Sequence, residues 1–162
     1  SMFDGQKVSK SRIITSVDYS MVSMEAFEIY AANHDIHVMD FVLKLDAYTY
    51  YMMNLLDYLI GNTDRHWGNW GFLVDNRTNQ PVRLFDLMDL NQTFLAYDTP
   101  DGANCMTTGN RKMSQREAAV EAVKKIGLNQ RAEIKDEWFK GREKEREMFW
   151  CRFGILKEQW KA

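Results

Sequence analysis

The sequence predicts a mainly α domain with a small β-hairpin at its centre. Three observations carry that expectation. The apolar residues Tyr48, Met52, Leu55, Leu56 and Leu59 recur at three- and four-residue steps, the spacing of one helix face. Two short β-like runs, Trp70-Gly71-Phe72-Leu73-Val74 and Val82-Arg83-Leu84-Phe85, flank Asn76-Arg77-Thr78-Asn79-Gln80-Pro81, which is turn chemistry. Ser114-Gln115-Arg116-Glu117 has the form of a capping box. There the Ser and Glu side chains satisfy backbone N–H groups that a helix start leaves unpaired.

The elements follow in order. Residues 1 to 12 are polar and read as a disordered leader, with Ser1 before Met2 resembling a cloning remnant on an expressed fragment. Residues 13 to 162 read as a single domain. Ser23 caps a helix through Met24-Glu25-Ala26-Phe27-Glu28-Ile29-Tyr30, and Glu25 falls in the first turn, where the helix dipole favours an acid. Residues 36 to 45 form a second, short helix. Asp46 caps a third, which ends at Gly61 and Asn62. After the hairpin, residues 95 to 113 make a long loop with Pro100, Gly102 and Gly109, a length often tied to function. The helix behind the capping box stops near Gly127. From Asn129 onward the chain reads as two more helices broken near Gly141. The mixed charges of 140 to 147 mark a solvated helix face.

Composition excludes several classes. Aromatic residues make up 13% of the chain, which supplies a core and argues against disorder. The net charge of −2 lacks the basic excess of a nucleic-acid module, so direct nucleic-acid binding is not expected. No apolar run approaches the ~20 residues a membrane helix needs. Cys105 and Cys151 fit neither a disulfide framework nor a zinc pattern, and read as reduced thiols of a cytoplasmic protein. His34 and His37 lie close in sequence but fall short of the four protein ligands of a structural zinc site.

The most informative residues flank the hairpin. Before it stands Gly61-Asn62-Thr63-Asp64-Arg65-His66-Trp67-Gly68-Asn69, and after it Leu87-Met88-Asp89-Leu90-Asn91-Gln92-Thr93-Phe94. Phosphoryl transfer from ATP needs such a set, because charge neutralisation and positioning do most of the work. One carboxylate orients the attacking hydroxyl and accepts its proton. An amide oxygen and a second carboxylate hold Mg2+ against the phosphates; Mg2+ prefers hard oxygen ligands and keeps several waters. Asp64 and Asn69 are five positions apart, the separation of Asp and Asn in a kinase catalytic loop. A hairpin brings both its ends together, so Asp89 can return to the same place.

Leu59-Ile60-Gly61-Asn62-Thr63-Asp64-Arg65-His66-Trp67-Gly68-Asn69-Trp70-Gly71-Phe72 resembles the catalytic loop of HipA-like serine/threonine kinases. Its inner Asp64-Arg65-His66-x-x-Asn69 also resembles the loop of phosphatidylinositol 3- and 4-kinases. Met88-Asp89-x-x-x-x-Phe94 is similar to the HipA-like metal-binding loop. The resemblance spans residues 20 to 130 and is strong in the two loops. It implies a protein-kinase-like C-lobe, with Asp64 as the catalytic base and Asn69 and Asp89 as Mg2+ ligands. Asp86 is the rival for Asp89, which the register of Phe94 favours. Arg65 and His66 shape the loop or touch phosphate; for His66 the choice lies between a proton shuttle and a structural hydrogen bond.

The resemblance further implies ATP as the phosphoryl donor and a protein Ser or Thr as acceptor. A complete kinase also has a β-rich N-lobe with a Gly-rich loop and a Lys over the phosphates. This chain has no Gly-x-Gly-x-x-Gly and no Gly-x-x-x-x-Gly-Lys, so the N-lobe is expected to be absent. A non-catalytic protein-interaction module, in a mobile-element or toxin–antitoxin setting, is the alternative expectation.

Overall fold

The computed structural model describes residues 13–94, 99–109, 112–128 and 133–161, together with the backbone of two short strands near the start. Those strands, β1 (Met2–Phe3) and β2 (Gln6–Lys7), pair antiparallel within the expected leader, most of which lies outside the described residues. The remainder is helix-dominated, with one small antiparallel sheet.

The central hairpin is part of a three-stranded sheet. A strand that the sequence pattern did not predict, β3 (Tyr19–Ser23), leads into α1 (Met24–Ala32). Then comes α2 (Val38–Ile60), followed by the hairpin β4 (Gly71–Asp75) and β5 (Gln80–Leu84), and the strand order is β3-β4-β5. Tyr19-Ser20-Met21-Val22-Ser23 carries no turn residue before the helix to mark its end, because Ser23 is both its last residue and the N-cap of α1. The pairing rests on Gly71, which lies opposite Ser23. A Cβ there would meet the Val22 carbonyl oxygen at 2.1 Å, so only glycine lets β3 approach β4 this closely.

The two helices expected on either side of Asp46 run as one element with a kink. Asp46 leaves helical geometry (φ −155°, ψ 64°), and its Oδ1 accepts the Thr49 N–H at 3.2 Å as an N-cap does. Its Oδ2 accepts the Leu84 N–H at 3.1 Å, which fastens the edge strand β5 to the kink. The helix ends at Gly61 in the left-handed region (φ 60°).

The capping box forms at the start of α3 (Gln115–Ile126): Ser114 Oγ accepts the Glu117 N–H, and Glu117 Oε2 accepts the Ser114 N–H at 2.7 Å. The Gly127 N–H closes that helix on the Val123 carbonyl. The first expected tail helix is one 3-10 turn, Asp136–Phe139; the second is α4 (Glu143–Lys161). Its start is an exposed face, as the mixed charges of 140–147 imply.

The core forms where α2 packs against α3, α4 and the sheet. Ala118, Ala119 and Ala122 let α3 lie close. Phe27, Phe41 and Phe72 form an aromatic cluster, with the Phe27 and Phe72 centroids 4.6 Å apart and edge-on. Burying a side chain such as Phe72 contributes about 1.5–3 kcal/mol. The consequence for the site is a rigid floor: the C-terminal end of α2 and both ends of the β4–β5 hairpin are fixed by packing. Among the described residues, no helix is long and apolar enough to cross a membrane.

Candidate functional site

The loop 61–69 leaves the C-terminal end of α2 and is held by one buried ion pair. Asp57, in the last turns of α2, faces Arg65; their side chains are 4% and 3% exposed. Arg65 donates from Nε to Asp57 Oδ2 at 2.7 Å and from Nη2 to Asp57 Oδ1 at 3.0 Å. This is the two-pronged fit of guanidinium to carboxylate. Asn62, fully buried, adds its Nδ2 donor to Asp57 Oδ1 at 2.9 Å. Gln115 at the start of α3 donates to the Asn62 carbonyl at 2.6 Å, so α3 also grips the loop. Satisfying the carboxylate this fully offsets the cost of removing two charges from water.

The other arm of Arg65 reaches across the hairpin ends. Its Nη1 donates to the Asn69 carbonyl at 3.0 Å and to the Met88 carbonyl at 2.8 Å. The first is the last residue of the 61–69 loop and the second immediately precedes Asp89. A second tie joins the segments further on, where the Phe94 N–H donates to the Ile60 carbonyl at 2.9 Å. The two loops that the sequence singles out therefore meet in space.

Asn69 is buried, and its amide is oriented by the loop itself. Nδ2 donates to the Asp64 carbonyl, and Oδ1 accepts the His66 N–H at 3.0 Å. An amide oxygen carries two lone pairs, so Oδ1 keeps one for a further partner. Asp64 is half-buried, and its own N–H points at Asn62 Oδ1. Among the described residues, no donor bonds the Asp64 carboxylate. His66 is exposed, and its Nδ1 accepts the Gly68 N–H at 3.0 Å, a structural bond that leaves only Nε2 for proton transfer. Gly68 makes room for that fold-back, since a Cβ there would meet His66 Cε1 at 2.9 Å.

The two candidate carboxylates after the hairpin differ. Asp86 is exposed and paired with Arg83, Nη1 to Oδ1 at 2.6 Å. Asp89 is exposed, and no donor among the described residues bonds its carboxylate. It stands in the left-handed region (φ 55°), as does Phe94 (φ 60°). Such backbone costs about 1–3 kcal/mol for a non-glycine residue and gathers at functional sites. Phe94 is held there by the Ile60 bond and by packing against Phe139 at 6.4 Å. The Asn69 amide oxygen and the Asp64 and Asp89 carboxylates, which no donor among the described residues bonds, are oxygen donors of the kind a hard cation takes. Among the described residues, no group of three or more His, Cys, Asp or Glu side chains is placed to hold a metal ion.

The long loop touches this region. Trp67 donates its Nε1–H to the Met106 carbonyl at 2.7 Å. Asn54 bonds Thr107, whose hydroxyl lies 3.1 Å from the Cys105 sulfur. Burial pushes the Cys105 thiol up, as expected of a cysteine packed inside the domain. Burial likewise raises Tyr58 to about 12, against the opposing pull of Arg152, and the Tyr58 hydroxyl donates to the Pro100 carbonyl at 2.7 Å. His34 and His37 are occupied locally: His34 Nδ1 bonds the Tyr30 carbonyl, and His37 caps α2 through the Asp40 N–H.

Sequence reasoning missed Asp57 and the gripping roles of Asn62 and Gln115. One signal for Asp57 was available, a lone acid inside the apolar run Leu55-Leu56-Asp57-Tyr58-Leu59. No protein-family model, no curated protein and no solved structure matches this chain.

Proposed function

We propose that this chain carries the catalytic and metal-binding loops of a HipA-like kinase. The intact enzyme would transfer the γ-phosphoryl group of ATP to a hydroxyl, of Ser or Thr in a protein. The observation that carries the reading is the meeting of the two loops on Arg65, together with Asp64 and Asp89 carboxylates that no donor among the described residues bonds. Asp64 would orient the acceptor hydroxyl and take its proton. Asn69 Oδ1 and Asp89 would hold Mg2+, which supplies charge neutralisation at the transferring phosphate. The Arg83 pair ties up Asp86 and favours Asp89 as the ligand. A β-rich lobe is proposed to cover the phosphates from above. The reading places the work in the cytoplasm and needs no contact with nucleic acid.

Asp64→Ala tests the base. In the intact kinase, phosphoryl transfer should fall about 100- to 10,000-fold, the usual range for one acid–base group. The melting temperature should hold, because no donor among the described residues bonds that carboxylate. Transfer at the wild-type rate would remove Asp64 from the role.

A second reading, a non-catalytic protein-interaction module of a mobile-element or toxin–antitoxin system, draws on exposed apolar residues. Ile13 is 85% and Val17 93% exposed just before the edge strand β3. Partner binding unaffected by Asp64→Ala, with no transfer from the intact protein, would favour it.

A further inference from the structure

Arg65 uses its guanidinium in two directions at once. Nε and Nη2 close on the Asp57 carboxylate, while Nη1 is shared by the Asn69 and Met88 carbonyls. Four bonds therefore draw on one planar group whose side chain is 3% exposed. The anchor on the far side is equally fixed: Asp57 sits in α2, and Asn62 occupies the same oxygen that receives Nη2. A plane held at one edge by a rigid carboxylate places its opposite edge with little freedom. That opposite edge sets the spacing between the carbonyl of Asn69 and the residue preceding Asp89.

We propose that Arg65, anchored by Asp57, is a positioning residue that sets the distance between two cation ligands, Asn69 and Asp89, and so fixes the affinity of the site for a divalent cation. The inference rests on the functional reading above, which names those ligands. It adds that neither ligand acts alone: the buried pair joins a loop from before the hairpin to a loop from after it. Arg65 itself touches neither cation nor phosphate in this assignment. Its two Nη1 acceptors are backbone carbonyls, and its remaining bonds go to Asp57. A lysine could answer the Asp57 charge but could not also span both carbonyls, because it lacks the planar fork. Octahedral Mg2+ coordination demands close to ideal ligand placement, so a slackened spacing lowers affinity even when both ligands remain.

The test uses Mn2+ as the probe, with the free ion read by electron paramagnetic resonance on the full chain. Four proteins are compared: wild type, Asp89→Asn, Arg65→Lys and the double exchange Asp57→Leu with Arg65→Met. The double exchange removes both charges together, so it leaves no lone buried ion to unfold the domain. Wild type should bind Mn2+, and Asp89→Asn should lose it. Arg65→Lys and the double exchange should each weaken Mn2+ binding at least tenfold, each read at a temperature below its own cooperative melt. A purely structural role would leave affinity unchanged in any variant that is folded at the assay temperature. Wild-type Mn2+ affinity in a folded double exchange, with Asp89→Asn still defective, overturns the positioning role and leaves the metal reading intact. No Mn2+ uptake by wild type, or uptake indifferent to Asp89→Asn, overturns the metal reading and the inference with it.

Discussion

Two Asp–Arg pairs in this molecule have nearly the same geometry and opposite surroundings. At the candidate site, Asp57 and Arg65 meet at 2.7 and 3.0 Å with almost no exposure. In the C-terminal tail, Asp136 and Arg146 meet at 2.9 and 3.1 Å, with side chains 67% and 46% exposed. The tail pair remains in water, where screening and side-chain entropy consume most of the attraction. The site pair has left water, so each partner depends on the other. The comparison teaches that bond lengths do not rank these interactions, whereas the loss of solvent does. It also explains why the loop between α2 and the hairpin is held in one shape while the tail's charges serve a solvated face.

The largest break in that comparison is Arg65→Ala. It leaves the Asp57 carboxylate buried with, among the described residues, Asn62 as its remaining side-chain donor, and the expected loss is about 3–5 kcal/mol. Urea unfolding measures it, and a loss no larger than a surface variant's would show that the pair is not the strut described above. Next comes Tyr58→Phe, which deletes the bond to Pro100 and should cost about 1 kcal/mol. The wild-type Tyr58 also predicts an alkaline signature. Its folded value is raised to about 12 and its unfolded value is about 10. The unfolded chain therefore ionises first, so this contribution is complete below pH 10 and is lost as pH rises towards 12. The stability advantage of wild type over Tyr58→Phe should shrink over that interval and then reverse.

Ser114→Ala is comparable in size and sharper in meaning. It removes the hydroxyl of the capping box, and loss of such a cap costs about 1 kcal/mol. Thermal melts should register it without a change in the site. The smallest effect belongs to the tail. The hydrogen bond from Arg146, and then its charge, hold the Asp136 carboxyl below its usual range. A depressed folded value means that the contribution is present above the unfolded Asp range and fades as pH falls through the folded value. Arg146→Ala should melt with wild type at moderate salt, and any small difference at low salt should vanish in acid. A tail loss equal to that of Arg65→Ala would break the comparison outright.

What was legible in the sequence was local. Ser23, Gly61 and Ser114 act within a few residues of themselves, as does the Asp46 cap on Thr49, so capping and turn chemistry identified them; the second bond of Asp46, to Leu84, was not legible. The five-residue step from Asp64 to Asn69 was legible because the loop closes on itself, Asn69 bonding the Asp64 carbonyl. The rest depends on contacts between distant segments. Strand β3 exists because Gly71, far along the chain, leaves space for it. Asp57 looks like an interruption of an apolar helix until Arg65 is placed against it. The preference for Asp89 over Asp86 began as a matter of register with Phe94. In space the two differ in surroundings, Asp86 facing Arg83 at 2.6 Å and Asp89 having no bonded donor among the described residues, and the choice between them rests on the titration below.

The most direct test of the central claim is calorimetric titration of Mg2+-ATP into this chain, into Asp89→Asn and into Asp86→Asn. The account predicts Mg2+-dependent binding by the wild type and by Asp86→Asn, and its loss in Asp89→Asn. Binding that survives Asp89→Asn, or is lost in Asp86→Asn instead, would contradict it.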